Sequence, residues 1–202
     1  MGTTISGATG IDKVQDGTIV NADINSSAAI AGTKLVMPAG STIQTQATNY
    51  QGAYSTTSAS WVDVANFSAD ITPSSTSNKV LVQVMMQICT TDWGGINIVR
   101  KVSGESDVIL NQGNDTVGSK LNSSFGSIAI DNYIDTQLTM PFNFIYLDSP
   151  ATTSEVTYQV QVVGRYGAGG QTFYINRPTS WNDDSISGRV TASNIVVQEI
   201  AG

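Results

Sequence analysis

Two close pairs of acids, Asp131 with Asp135 and Asp183 with Asp184, are the first candidates for chemistry. Two carboxylates facing each other across a sugar can hydrolyse a glycosidic bond, one giving a proton while the other attacks or activates water. The same stretches, Asp131-Asn132-Tyr133-Ile134-Asp135 and Asn182-Asp183-Asp184-Ser185, offer hard oxygens of the kind Ca²⁺ takes, but neither has EF-hand spacing. Neighbouring acids in loops are ordinarily just solvated, so no metal, no cofactor and no enzymatic activity are expected. A glycan hydrolase working through the Asp pairs is the distant alternative. The chain has no histidine. That removes the Ser-His-Asp triad, the Cys-His dyad and every His-containing metal site. Its single cysteine, Cys89, rules out an intrachain disulfide and a CxxC site, and reads as a small apolar residue following Val80–Ile88. Gly167-Ala168-Gly169-Gly170 lacks the GK[ST] ending of a phosphate loop and reads as a tight turn.

The aromatic residues carry more. Trp93 precedes Gly94-Gly95, Tyr133 lies between Asp131 and Asp135, and Trp181 is followed by Asn182-Asp183. An aromatic face beside Asn and Asp suits a sugar, which has one apolar face and a rim of hydroxyls. Trp93, Tyr133, Trp181, Asn182 and Asp183 are therefore the candidate binding residues. The plainer reading is that such aromatics cap the core or pack against a neighbouring subunit. Trp61, inside an alternating run, is expected in the core.

Composition narrows the classes. Of 202 residues, 40% are hydrophobic, enough for a core, and only 12% are charged, about half the usual ~25%. Net charge is −7 with nine basic residues scattered along the chain. Binding to nucleic acid through phosphate neutralisation is not expected, because it needs clustered Lys and Arg. No run approaches the ~20 apolar residues of a membrane span, and nothing near Met1 reads as a signal peptide.

The elements that would hold these residues are strands. Val80, Val82, Val84, Met86 and Ile88 alternate with Leu81, Gln83, Met85 and Gln87. Leu138 to Tyr146 and Val156 to Val162 repeat the period of two. Shorter candidates are Ile43–Tyr50, Trp61–Phe67, Gly95–Arg100, Asp107–Leu110, Ser124–Ile130, Thr172–Asn176 and Asn194–Ile200. Roughly ten strands, short polar turns and no long helix predict an all-β fold, an antiparallel jelly-roll-like β-sandwich. Pro141 within a good pattern predicts an edge strand or a bulge. Apolar residues on both faces, Leu81 and Met85 against Val82 and Val84, predict a subunit interface.

Residues 1–40 contain no aromatic residue and too little apolar mass to fold alone. Three copies around one axis would bury Ile11, Val14, Ile19, Ile24, Ile30 and Leu35 against each other. With Met37-Pro38-Ala39-Gly40 as hinge, residues 1–40 are expected to be a short extended attachment and oligomerisation segment, and 41–202 the sandwich head.

Two stretches resemble tail-fibre and appendage proteins of marine and cyanobacterial bacteriophages. The first is Gln15-Asp16-Gly17-Thr18-Ile19-Val20-Asn21-Ala22-Asp23-Ile24, continuing through Ala28-Ala29-Ile30-Ala31-Gly32-Thr33-Lys34-Leu35. The second runs from Ser60-Trp61-Val62-Asp63-Val64 through Ile71-Thr72-Pro73 and Asn78-Lys79-Val80-Leu81-Val82 to Tyr146-Leu147-Asp148-Ser149-Pro150, Thr157-Tyr158-Gln159-Val160-Gln161 and Phe173-Tyr174-Ile175-Asn176-Arg177. The resemblance implies a virion structural protein on the tail or capsid surface, often homotrimeric. Its N-terminal segment would join other virion proteins, and its sandwich would face outward to a host surface glycan or protein. No membrane insertion is implied. A capsid decoration protein or head fibre that stabilises the shell is the alternative.

Overall fold

A computed structural model describes residues 37–90, 93–113, 123–129, 139–164, 172–179 and 190–202. Tyr133, Trp181, Asn182 and Asp183, and Ile11, Val14, Ile19, Ile24, Ile30 and Leu35, lie outside the described residues, as do the Gly167–Gly170 turn and the Asp131/Asp135 and Asp183/Asp184 pairs.

The period of two becomes antiparallel strands whose apolar phase turns inward. Eleven strands are described: β1 (Thr42–Tyr50), β2 (Tyr54–Thr56), β3 (Val62–Ile71), β4 (Lys79–Thr90), β5 (Trp93–Val102), β6 (Val108–Ile109), β7 (Phe125–Ala129), β8 (Met140–Asp148), β9 (Val156–Val163), β10 (Phe173–Ile175) and β11 (Ser193–Ile200). Val80, Val82, Val84, Met86 and Ile88 of β4, and Val156, Tyr158, Val160 and Val162 of β9, are all fully buried, as their alternation predicts. β2 has no counterpart in the sequence reading; three residues are too few to show a period.

The strands form two sheets. In the first, β4 is central: β8 pairs along one side, while β11 and β10 follow each other along the other, opposite Lys79–Met85 and Ile88–Thr90. β1 and β2 flank β11 and β10. In the second, β9 lies between β3 and β5, and β6 and β7 share the far side of β5. Each sheet therefore has four strand positions. With β1 and β2, β6 and β7, and β10 and β11 each counted as one position, and the eight positions numbered along the chain, the first sheet runs 1-8-3-6 and the second 2-7-4-5. Every pairing is antiparallel and the two inner faces share one core, so the fold is the expected all-β antiparallel sandwich.

Among the described residues β8 pairs with β4 alone and is an edge strand, which is where Pro141 is tolerated. β3 departs from regularity. Asp63 faces Gln161 and Ser68 faces Gln159, so five residues advance against two. Ala65 and Asn66 loop outward, Asn66 with φ 62, a left-handed conformation that Asn tolerates better than most residues. The bulge lets both Val64 and Phe67 point inward. The Gln159 amide fills the gap, donating to the carbonyls of Val64 (2.9 Å) and Phe67 (3.2 Å). Phe67 then stacks on Tyr50 at 4.7 Å.

Trp61 is corrected. It is half-buried and lies outside the shared core, with its ring over Gly95 on the outer side of the second sheet. The strand starts one residue later, at Val62, and it is Val62 that packs against the core.

Candidate functional site

The sandwich has two unlike ends. At one, the chain enters at Met37 and leaves at Gly202, and the β3–β4, β5–β6 and β8–β9 connections are short. Gly40 N–H donates to the Ala201 carbonyl and Ala201 N–H to that of Ser41, which ties entry to exit. The β3–β4 turn closes on Glu199, a fully buried carboxylate. It accepts from Gln44 Nε2 (2.6 Å), Ser74 N–H (2.6 Å), Ser74 Oγ (2.8 Å) and Asn78 Nδ2 (2.6 Å). Burial pushes the carboxyl up, but the hydrogen bonds from Gln44, Asn78 and Ser74 outweigh it and leave it below its usual range.

At the opposite end β2, β4, β7 and β9 finish and β3, β5, β8 and β10 begin. This end collects the strand termini that flank the candidate binding residues. Trp93 begins β5 opposite Ala129, the last residue of β7, two residues before the Gly95 at which the sequence pattern starts the strand. The segment containing Tyr133 leaves from Ala129 and returns at Met140, opposite Ile88. The segment containing Trp181 leaves after Ile175, also opposite Ile88 on β4's other side.

A buried amide secures that end. Asn176, at φ 60 and fully buried, donates from Nδ2 to the carbonyls of Tyr50 (2.8 Å) and Gly52 (3.0 Å). It accepts the Ser193 hydroxyl on Oδ1 (2.5 Å), and its own N–H reaches the Gln87 carbonyl (2.8 Å). The side chain thus joins the β1–β2 turn to β11, and the backbone N–H of the same residue adds β4. Beyond it, Arg177 lies 5.0 Å from the centre of the Tyr174 ring. Cys89 is buried, and burial pushes its thiol up, away from the reactive thiolate. Among the described residues no three acidic or sulfur ligands gather for a metal. This end can present side chains; its described groups hold no acid–base pair.

Gly94 and Gly95 set its packing. A Cβ on Gly94 would stand 2.4 Å from Phe173 Cδ2, and one on Gly95 2.7 Å from the Trp61 ring. Phe173 is fully buried and cannot retreat, whereas Trp61 is half-buried and can. Gly94→Ala is expected to cost about 1–3 kcal/mol, and Gly95→Ala clearly less, by urea denaturation. Equal losses would mean that the Phe173 contact does not control this packing.

Sequence reasoning missed Asn176, Gln159 and Glu199. Glu199 had a signal: it continues the buried phase Ser193, Ile195, Val197. Asn176 and Gln159 had none, since their partners are distant carbonyls.

No family model and no curated protein matches the chain. Among solved structures, the infectious bursal disease virus VP2 subviral particle is similar over 87% of this chain at 13% identity, with a TM-score of 0.33. The chain spans about two fifths (42%) of that protein's length.

Proposed function

We propose that this chain is a bacteriophage virion structural protein, a homotrimeric tail-fibre or appendage subunit without enzymatic activity. Its N-terminal segment attaches to other virion proteins, and the far end of its sandwich contacts a host surface glycan or protein. The observation that carries this reading is the polarity of the sandwich. The chain enters at the end closed by short turns and the Glu199 clasp, while Trp93 and the flanks of the Tyr133 and Trp181 segments lie at the other. A protein anchored by its N-terminus would therefore turn the ends of β2, β4, β7 and β9 outward, the end from which the β7–β8 and β9–β10 connections start; connections are where variation is tolerated and recognition is usually built. The 1-8-3-6 and 2-7-4-5 strand orders support a jelly roll, an architecture used by capsid and lectin domains alike. The Asp16–Leu35 stretch that resembles phage fibres supports the virion assignment.

The test is binding of fluorescently labelled full-length chain to a panel of bacterial cells and surface polysaccharides. Saturable binding that falls at least tenfold in Trp93→Ala, with the melting temperature preserved, is the expected result. Absence of binding to every cell, with the chain present on purified particles, would replace host contact with shell decoration.

A further inference from the structure

The two outer faces of the sandwich differ in charge. On the second sheet Lys101 bridges Asp63 at 2.6 Å and approaches Asp107 at 3.7 Å. Gln161 donates to the same Asp63, and Thr157 to Asp70. Partial burial pushes the Asp63 carboxyl up, and its bonds to Lys101 and Gln161 outweigh that and hold it below the usual range. This is a hydrated, paired surface.

The first sheet is the opposite. Its acids, Asp148 and Glu199, point inward and are buried. Among the described residues its strands turn one charge outward, Lys79, at the end of β4. Met85 is 56% exposed, Ile145 67% and Leu147 46%. Register places them together: Leu147 opposite Leu81, Ile145 opposite Gln83, Asn143 opposite Met85. Val196, on the far side of Gln83, extends the patch onto β11. The spacers Gln83 and Asn143 are uncharged. Beside the patch, β8 leaves its outer backbone edge unpaired among the described residues, a position that soluble proteins ordinarily protect with charge.

We propose that the outer face of the first sheet is where copies of this chain meet one another. A chain of net charge −7 repels its own copies wherever acids face acids. Among the described residues the strands place none on this face, so copies can turn it toward a common axis without desolvating like charges, and its aliphatics and amides suit those of another copy. The face suits this partner better than a basic one, for which it offers no carboxylate. Four strand positions ~4.8 Å apart and about eight residues at ~3.4 Å give a flat area of roughly 500 Å². That is below the ~800 Å² per partner of a standard interface, so association through this face alone is expected to depend on concentration. The inference rests on the self-assembling part of the proposed function and gives it a surface.

Sedimentation velocity of the full chain between roughly 1 and 500 µM tests it. The expected result is concentration-dependent association whose midpoint rises at least tenfold in Ile145→Glu and Met85→Glu. Both side chains point outward, so folding is retained. Ala65→Glu, on the exposed β3 bulge, leaves the midpoint unchanged. Mixing Ile145→Lys with Ile145→Glu restores association, because the face meets itself. A chain monomeric throughout, or one whose association ignores Ile145→Glu, overturns the proposal. The display reading fails separately: a chain that assembles through this face yet binds no surface sinks host contact alone.

Discussion

Arg100→Met is expected to destabilise the sandwich by about 3–5 kcal/mol, lowering its melting temperature by roughly 10 °C. Arg100 and Asp148 both point into the core, from β5 and β8. Their side chains are 16% and 7% exposed and meet through Nη1 at 2.8 and 3.0 Å. The Tyr158 hydroxyl, in a fully buried side chain, adds a third hydrogen bond to Asp148 Oδ2 at 2.8 Å. Burial first, then the Asp148 charge, pushes that hydroxyl far above its usual range, so it stays a donor at any working pH. Removing the guanidinium leaves a carboxylate desolvated with one hydroxyl for company, which is the expensive half of a broken pair. Arg100→Met combined with Asp148→Leu is therefore expected to recover at least half of the loss. Urea denaturation of the two single variants and the double variant gives the coupling directly. Additive losses would show that the groups contribute by packing alone.

Glu199→Gln is the second large effect, about 1–3 kcal/mol at neutral pH, and it vanishes in acid. The folded carboxyl sits below its unfolded value of ~4.3. The unfolded chain thus takes up the proton first, and the stability this charge contributes is complete above about pH 5. It is lost as pH falls through the unfolded and then the folded value. The amide of Gln would turn a donor toward groups that already donate, Gln44 Nε2 or Ser74 N–H, and leave one bond unmade. Stability of the two proteins should differ at pH 7 and draw together as pH falls below about 5, meeting only below the depressed folded value. A constant gap across that window would mean the clasp acts through shape and not charge.

These clusters also mark where the sequence was legible. Arg100 continues the inward phase of Ile96 and Ile98, Asp148 that of Phe142 and Phe144, and Glu199 that of Ile195 and Val197. A charge in the buried phase of a strand announces a buried partner. Which partner it finds depends on which strands face each other across the core, and no local pattern encodes that. Arg100 and Asp148 are 48 residues apart, and Glu199 lies 125 from Ser74.

The sequence by itself determined the all-β class, most strand positions, the inner faces of β4 and β9, and that Pro141's strand is at an edge or bulged. These follow from a period of two and from a missing N–H, both properties of a few consecutive residues. Only the tertiary structure decided the strand order, the Asn176 and Gln159 contacts and the outward place of Trp61. Only it gathered Met85, Ile145 and Leu147 beside Val196 on one face whose described strands turn no acid outward. Each of these is a meeting of residues far apart in the chain, and it exists only once register and sheet order bring them together.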